Sequence, residues 1–433
     1  MMKILLVNPP NCGRSISQEK YGFKPAYQIF RGEPLALEAL AGNLYDHKTH
    51  ILDLKVQGES LSDTLSAFDP DLVGITGLTC EVRTVLRLCQ NVKEQKKEST
   101  VVVGGIHASS DPQFFNHPAV DYIVTGLGKA SFRELVSAIE TGRPTERIPG
   151  IARTNPAGRL SYIPRNYSRE DLVESCAPRF DLVDKYRDHY RIPALGLQMG
   201  FVATAFGCIH SCSFCSIANL TGKRYLTCHT DTVIRDIRLL GDIPFIRLVD
   251  ANSFGDVKRA KQLCQAIAEA DLKKLFLVDA CADTVVDHQE LFEEWKKSGL
   301  QAVVVGFEEI NNTLLAQWGK KNTAGIVREA IRILHDLDIS IVGDFIISPD
   351  YEERDFQVLT RFVEENRIQL PVFSVLTPLP GTPLYRSMKD KIVIHDLDYY
   401  TLTNAVTRTK LPEEEFYTLF IELATRFHSR KTL

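Results

Sequence analysis

The sequence predicts an α/β protein in which a doubly wound parallel sheet is followed by a partial six-stranded βα barrel and a C-terminal helical cap. Two observations predict it. Short β-branched runs alternate with amphipathic segments over residues 1–140 and again from about 196, and between these stretches the alternation lapses. In the first stretch the strands are KILLV (3–7), THILDL (49–54), LVGITGL (72–78), TVVVGG (100–105) and DYIVTG (121–126), and a segment such as Val82 to Lys93 between them has helical periodicity. In the second stretch they are FVATAF (201–206), FIRLVD (245–250), LFLVDA (275–280), AVVVGF (302–307), SIVGDFII (340–347) and VFSVLTP (372–378).

The lapse between them, GIARTNPAGRLSYIP and the Pro- and Arg-containing sequence after it, reads as a hairpin around Asn155-Pro156-Ala157-Gly158 leading into a linker. Four regions are therefore expected, 1–145, 146–195, 196–390 and 391–433, the last with a helix over Glu413 to Ser429. Parallel sheets bind ligands at the carboxyl ends of their strands. In the first sheet those ends are Asn8-Pro9-Pro10, Asp53 to Gly58, Thr76-Gly77-Leu78, Gly104-Gly105-Ile106-His107 and Gly126-Leu127-Gly128, where small residues let a ligand approach the backbone.

At 433 residues, 44% hydrophobic and 24% charged, the chain has the makeup and length for at least two globular domains. Its net charge of −4 and lack of basic blocks argue against a nucleic-acid partner. The opening MMKILLVNPP is too short an apolar run for a secretory signal, and no run of about 18 apolar residues predicts a membrane span. Ten cysteines without a framework of pairs read as reduced thiols, so a cytoplasmic location is expected.

Directly after the first barrel strand comes Gly207-Cys208-Ile209-His210-Ser211-Cys212-Ser213-Phe214-Cys215. Three thiolates at C-x-x-x-C-x-x-C spacing can wrap one face of a four-iron four-sulfur cluster and leave one iron open to a chelating substrate. A structural zinc would want a fourth ligand, for which His210 or Cys228 could be offered, but zinc spacing favours paired C-x-x-C units. Inert burial is the other alternative, and it is the reading for most of Cys12, Cys80, Cys89, Cys176, Cys228, Cys264 and Cys281, which lack metal spacing.

This motif and the strand pattern over 196–390 resemble the radical S-adenosylmethionine (SAM) superfamily. The resemblance implies cluster ligation by Cys208, Cys212 and Cys215, and SAM bound to the open iron. It also implies SAM contacts from Phe214, Asp250 and Asn252 in Leu248 to Phe254, Glu308 in Val305 to Glu309, Asp344, and Pro378 and Leu379 in Thr377 to Tyr385. From the residues alone, Asp250 and Glu308 are carboxylates at strand ends facing a barrel mouth, and the alternative is that each caps a helix or pairs with a neighbouring cation.

A doubly wound domain ahead of such a barrel resembles the cobalamin-binding subfamily. That implies a Rossmann-like fold contacting cobalamin through Asn8, Pro9, Lys55, Gly58, Thr76, Gly77, Gly104, Gly105, His107, Gly126 and Gly128. A dinucleotide site is disfavoured, since no G-x-G-x-x-G follows the first strand. One departure stands out. Many such domains carry D-x-H-x-x-G, whose histidine ligates cobalt, and the corresponding stretch here is Asp53-Leu54-Lys55-Val56-Gln57-Gly58, in which Lys55 is a cation or an ordinary solvated loop lysine.

The resemblance implies a cobalamin-dependent radical SAM enzyme that methylates an unactivated carbon by way of a 5′-deoxyadenosyl radical and methylcobalamin. The expected partners are a small-molecule or lipid-like substrate and an external one-electron reductant of flavodoxin or ferredoxin type. The rivals are a cyclase, oxidase or rearrangement enzyme of the same architecture, and a metal or cobalamin sensor without turnover.

Overall fold

A computed structural model describes residues 1–23, 32–56, 58–192, 197–320 and 322–428. Gln57 and Ser429, and the segment 193–196 at which the linker was expected to give way to the barrel, lie outside the described residues. The chain divides into two compact units: Met1–Gly13, Glu33–His189 and Ser216–Cys228 in one, Arg14–Gly32, Tyr190–Cys215 and His229–Leu433 in the other.

The first unit is built on β1 (Lys3–Asn8), β2 (Lys48–Asp53), β3 (Leu72–Ile75), β4 (Thr100–Val103), β5 (Tyr122–Val124) and β6 (Ile151–Arg153), in the spatial order β2-β1-β3-β4-β5-β6. The first five are parallel. Ile4, Leu5, Leu6 and Val7 of β1 are almost wholly buried because helices cover both faces of such a sheet, which is why the strand reads as a continuous apolar run. The helix Val82–Gln95 buries Val82, Val85, Cys89 and Val92, the stripe its periodicity predicts. The winding direction reverses between β1 and β3, so the crevice at their carboxyl ends is the ligand position of this fold.

The expected hairpin is corrected. Its first arm is β6, which pairs antiparallel with β5 in the register Tyr122↔Arg153, Ile123↔Ala152 and Val124↔Ile151. The turn closes with Gly158 N donating to Asn155 O at 2.9 Å, but the returning residues form no strand. β5 offers a free edge of an already formed sheet, and joining it outcompetes a marginal isolated two-stranded hairpin. Nor is the segment up to His189 a loose connection, since Arg165 pairs with Asp171 and Glu134, each at 2.6 Å, and Arg179 N donates to Glu38 O at 3.0 Å.

The second unit is built on β7 (Arg191–Ile192), β8 (Leu197–Val202), β9 (Phe245–Leu248), β10 (Leu275–Ala280), β11 (Leu300–Glu308), β12 (Ser340–Ile347) and β13 (Leu370–Val375). From β8 to β13 each strand pairs in parallel with the next in sequence, and β7 lies antiparallel on the β8 edge. Here the winding never reverses, so the open barrel presents all six carboxyl ends to one mouth. The helix Glu413–His428 packs on the helix Glu353–Glu365 and on β13: Phe416 meets Phe356 with ring centroids 5.7 Å apart, Arg426 pairs with Glu364 at 2.6 Å, and Phe427 meets Phe373 at 6.0 Å.

Candidate functional site

The three cysteines of the motif lie on the loop that follows β8, and none of the chain's ten cysteines is in a disulfide. Two partners pin the loop. Ser213 donates to Trp318 O through both its amide at 2.9 Å and its hydroxyl at 3.1 Å, and Leu384 N donates to Ser213 O at 2.9 Å. Phe214 stands edge-on to Trp318 at 6.2 Å and packs on the cluster of Trp318, Ile346, Leu376 and Leu384, so its aromatic ring anchors the loop. Within the loop, His210 N donates to Cys208 Sγ at 3.5 Å. Burial raises the Cys212 thiol pKa, and the nearby Lys320 ammonium opposes that rise.

Asp250 is tied to the residues that lead into the cysteine loop. Its Oδ1 accepts from Thr204 N at 2.7 Å and Ala205 N at 2.8 Å, and its Oδ2 accepts from the Thr204 hydroxyl at 2.6 Å. It therefore holds the turn that leads into the cysteine loop and neither caps a helix nor pairs with a cation. Asn252 is wholly buried and accepts from Phe254 N at 3.3 Å. Pro378 is buried, and Leu379 O accepts from the Thr382 hydroxyl at 2.6 Å, closing the turn before the helix Pro383–Met388.

Glu308 and Asp344 are the sequence-predicted residues that come together in the barrel. The register of β11 on β12 shifts between Gly306 and Glu308, and Glu308 takes a positive φ of 63°, a strained setting for a residue with a side chain. Its Oε1 accepts from Lys320 Nζ at 2.8 Å in a pair whose side chains are only 12% and 11% exposed. Burial first, then Glu308 and Asp279, raise the Asp344 carboxyl pKa to about 7. The sequence reading missed the rest of this interior. Arg247 on β9 reaches Asp279 on β10 at 2.6 Å, and burial raises Asp279 to about 6 against the pull of Arg247. A charged residue inside a strand that otherwise reads as core, as in FIRLVD, is the signal that could have found Arg247. Its Nη1 is buried without a hydrogen-bond partner among the described residues.

In the first unit the strand ends form a tied frame. Asn8 Nδ2 donates to Asp53 Oδ1 at 2.8 Å, and Lys55 N donates to the same oxygen at 3.1 Å. Lys55 is no solvated loop lysine: its ammonium pairs at 2.8 Å with Glu81, whose other oxygen accepts from Leu78 N. Thr76 and Gly77 run beside Gly105, where a Cβ would stand 2.7 Å from Thr76 Oγ1 and 2.9 Å from Gly77 O, so only glycine lets the β4 loop close on the β3 loop. Gly126 is small for an internal reason, since a Cβ there would stand 1.8 Å from the Tyr167 hydroxyl, which accepts from Leu127 N and donates to Thr125 O. Gly104 makes only ordinary contact with Val124, Gly128 starts the helix Lys129–Thr141, Pro9 is buried, and Gly58 has nothing within 4 Å of its Cβ position. His107 is wholly buried, with Nδ1 3.3 Å from the Thr79 hydroxyl and edge-on contacts to Phe114 and Phe115. Burial lowers its pKa to about 4, so the ring is neutral.

A thiol trio at the mouth of an open six-stranded barrel, in a chain that also carries a doubly wound sheet with a switch-point crevice, defines a class of enzyme that positions an inorganic cluster and a second bound cofactor. Residues 30–136 match the B12 binding domain and residues 202–363 match the Radical SAM superfamily. The chain therefore carries a B12 binding domain followed by a Radical SAM domain, the pairing found in the cobalamin-binding radical SAM enzymes it resembles. It is 28% identical over 398 residues to hopanoid C-3 methylase of Methylococcus capsulatus, covering 90% of this chain and 75% of that one. It is 24% identical over 359 residues to the anaerobic magnesium-protoporphyrin IX monomethyl ester cyclase of Rubrivivax gelatinosus, covering 81% and 64%. Among solved structures, the radical S-adenosylmethionine methyltransferase TsrM from Kitasatospora setae, with cobalamin and a 4Fe-4S cluster bound, shares the fold at a TM-score of 0.69 and 21% identity, covering 90% of this chain and 78% of that one.

The two domains imply a 4Fe-4S cluster, SAM and cobalamin. The residues present fit these groups. Three thiols outside any disulfide on one pinned loop are the donor set a cubane with one open iron requires, and the buried Arg247 Nη1 is a spare donor in the barrel interior. The small residues Thr76, Gly77, Gly104 and Gly105, at the strand ends beside the switch point, suit a flat macrocycle held by shape. Among the described residues no helix is long and apolar enough to cross a membrane.

Proposed function

We propose that this chain methylates an unactivated carbon of a small or lipid-like molecule. The observation that carries the reading is the pairing, in one chain, of a pinned three-thiol loop at a barrel mouth with a cobalamin-type switch-point domain, together with the similarity to a hopanoid methylase over most of both chains. When bound, the cluster and SAM supply a one-electron cleavage that yields a hydrogen-abstracting radical, and cobalamin supplies the methyl group.

The chain's own residues would bind, orient and shield. Cys208, Cys212 and Cys215 hold the iron, and Asp250 and Phe214 keep their loop in place. Glu308, Lys320, Asp344 and Arg247 offer both signs of charge to the zwitterionic end and the ribose of SAM in an interior that excludes water. An external one-electron donor of flavodoxin or ferredoxin type completes the scheme, in a cytoplasmic setting.

Anaerobic incubation of reconstituted protein with SAM, a reductant and candidate lipids tests this reading. A product heavier by one methylene, formed with 5′-deoxyadenosine, supports it, and a product lighter by hydrogen sinks it in favour of the oxidative rival. That rival keeps one specific support: Asp344, with a pKa near neutrality inside the barrel, could take the proton that ring closure or oxidation releases and that radical methylation does not.

A further inference from the structure

Sequence spacing gives Cys281 no metal-ligand partner, but the fold gives it two. Cys281 follows β10 directly and opens the helix Ala282–Asp287, on whose first turn Asp283 stands, while His210 comes from the cysteine loop. One ligand atom from each of His210, Cys281 and Asp283 lies within 4.8 Å of the other two, and His210 Nε2 is 3.9 Å from Asp283 Oδ2. Asp283 is oriented for this, because its Oδ1 accepts from Thr284 N at 2.9 Å and leaves Oδ2 turned to the imidazole. A tetrahedral zinc with bonds of about 2.0–2.3 Å holds its ligands roughly 3.6 Å apart, so a small contraction would seat an ion among the three. A histidine and an aspartate alone would make an ordinary ion pair. The thiol as third member is what an ion pair does not need and a metal does.

We propose that His210, Cys281 and Asp283 form a mononuclear site for a divalent cation of the zinc class, beside the cluster thiols and using none of them. Imidazole nitrogen, thiolate sulfur and carboxylate oxygen together suit a borderline ion, and three protein ligands leave a fourth position for water. On binding, the Cys281 S–H bond breaks, sulfur keeps the electron pair and bonds the metal, and the proton leaves to solvent; nothing is oxidised or reduced. The ion would tie the cysteine loop to the carboxyl end of β10. The inference does not depend on which group the enzyme transfers.

The test is a cobalt(II) titration of the full-length C208A/C212A/C215A protein, in which the cluster thiols are absent. One equivalent should bind with a thiolate-to-cobalt charge-transfer band. Adding Cys281→Ser should abolish the band, and adding Asp283→Asn should weaken binding by at least roughly tenfold, the loss typical even of an outer-shell partner. If the triple variant does not fold, metal analysis of the cluster-loaded wild type should find one zinc beyond the cluster iron, lost in Cys281→Ser with iron unchanged. No cobalt binding by a folded triple variant would overturn the proposal. So would binding that survives both added substitutions, or loss of iron along with zinc in Cys281→Ser.

Discussion

The ligand-facing ends of the two sheets are built on opposite principles. At the first sheet the strands end in proline, glycine and threonine, and the one cation of the D-x-K stretch, Lys55, is neutralised by Glu81. The barrel interior gathers Arg247, Asp279, Glu308, Lys320 and Asp344, mostly buried and partly paired. Buried charge is costly unless it meets a partner, so the barrel is shaped for a ligand that brings its own charges. The crevice of the first sheet costs little when empty and selects by shape. Holding a macrocycle and activating a charged sulfonium are different tasks, and each end is suited to one of them.

The largest expected effect separates the two ends completely. C208A/C212A/C215A should lose cluster iron and sulfide to background while the first unit still takes up cobalamin, measured by metal analysis and corrin absorbance on the same sample. Retention of iron near the wild-type level would show that the ligand set lies elsewhere.

Next in size is the Lys320–Glu308 pair. Lys320→Met leaves a carboxylate buried and unpaired, which should destabilise the fold by roughly 3–5 kcal/mol in denaturant melts. The double variant Lys320→Met/Glu308→Gln should recover much of that loss but not SAM affinity. SAM affinity unchanged in the double variant would make the pair purely structural.

These contrasts show what was legible in the sequence. Both parallel sheets are borne out, because β-branched runs such as KILLV and SIVGDFII report burial on two faces directly. The roles of single polar residues were less legible, because they depend on contacts distant in sequence. Asp250 clamps Thr204 and Ala205, 46 and 45 residues away, a role that its own strand does not announce. Arg247 was hidden inside a strand, and Lys320 lies 12 residues beyond its partner Glu308. Gly126 read as part of a ligand shelf, and what the sequence hid is that its size is also required by Tyr167, 41 residues later in a stretch that looked like linker.

A smaller effect tests the electrostatics of the barrel through pH. Burial raises the Asp344 pKa from 3.8 to about 7, so the folded state binds a proton that the unfolded state has already lost between those values. Its contribution to stability is therefore fully present below about pH 4 and is lost as pH rises towards 7. Asp344→Asn, neutral throughout, should stabilise the ligand-free protein at pH 8 by on the order of 2 kcal/mol and have little effect near pH 4.5. Equal shifts in melting temperature at both pH values would mean that Asp344 is ionised in the folded protein and that Lys320 and Arg247 outweigh its burial.

The smallest effect concerns the lower face of cobalt. Of the two nitrogen side chains named for this crevice, Lys55 is ion-paired and His107 is buried. The Lys55 ammonium is bonded to Glu81, and a protonated amine has no lone pair to give. His107 is neutral and would be a competent ligand, but its ring is wholly buried, with Nδ1 at the Thr79 hydroxyl and edge-on contacts to two phenylalanines. With the cofactor's own dimethylbenzimidazole held off the metal, cobalt(II) in the reconstituted protein should therefore show no nitrogen superhyperfine splitting in its electron paramagnetic resonance spectrum. His107→Phe, which replaces one aromatic ring by another in an aromatic pocket and removes a single 3.3 Å contact, should leave that spectrum and the corrin affinity essentially unchanged and cost about 1 kcal/mol of stability. A triplet splitting in the wild type that disappears in His107→Phe would mean that the Ile106–Ser110 helix rearranges to deliver the imidazole, and that the first sheet holds its cofactor by coordination as well as by shape.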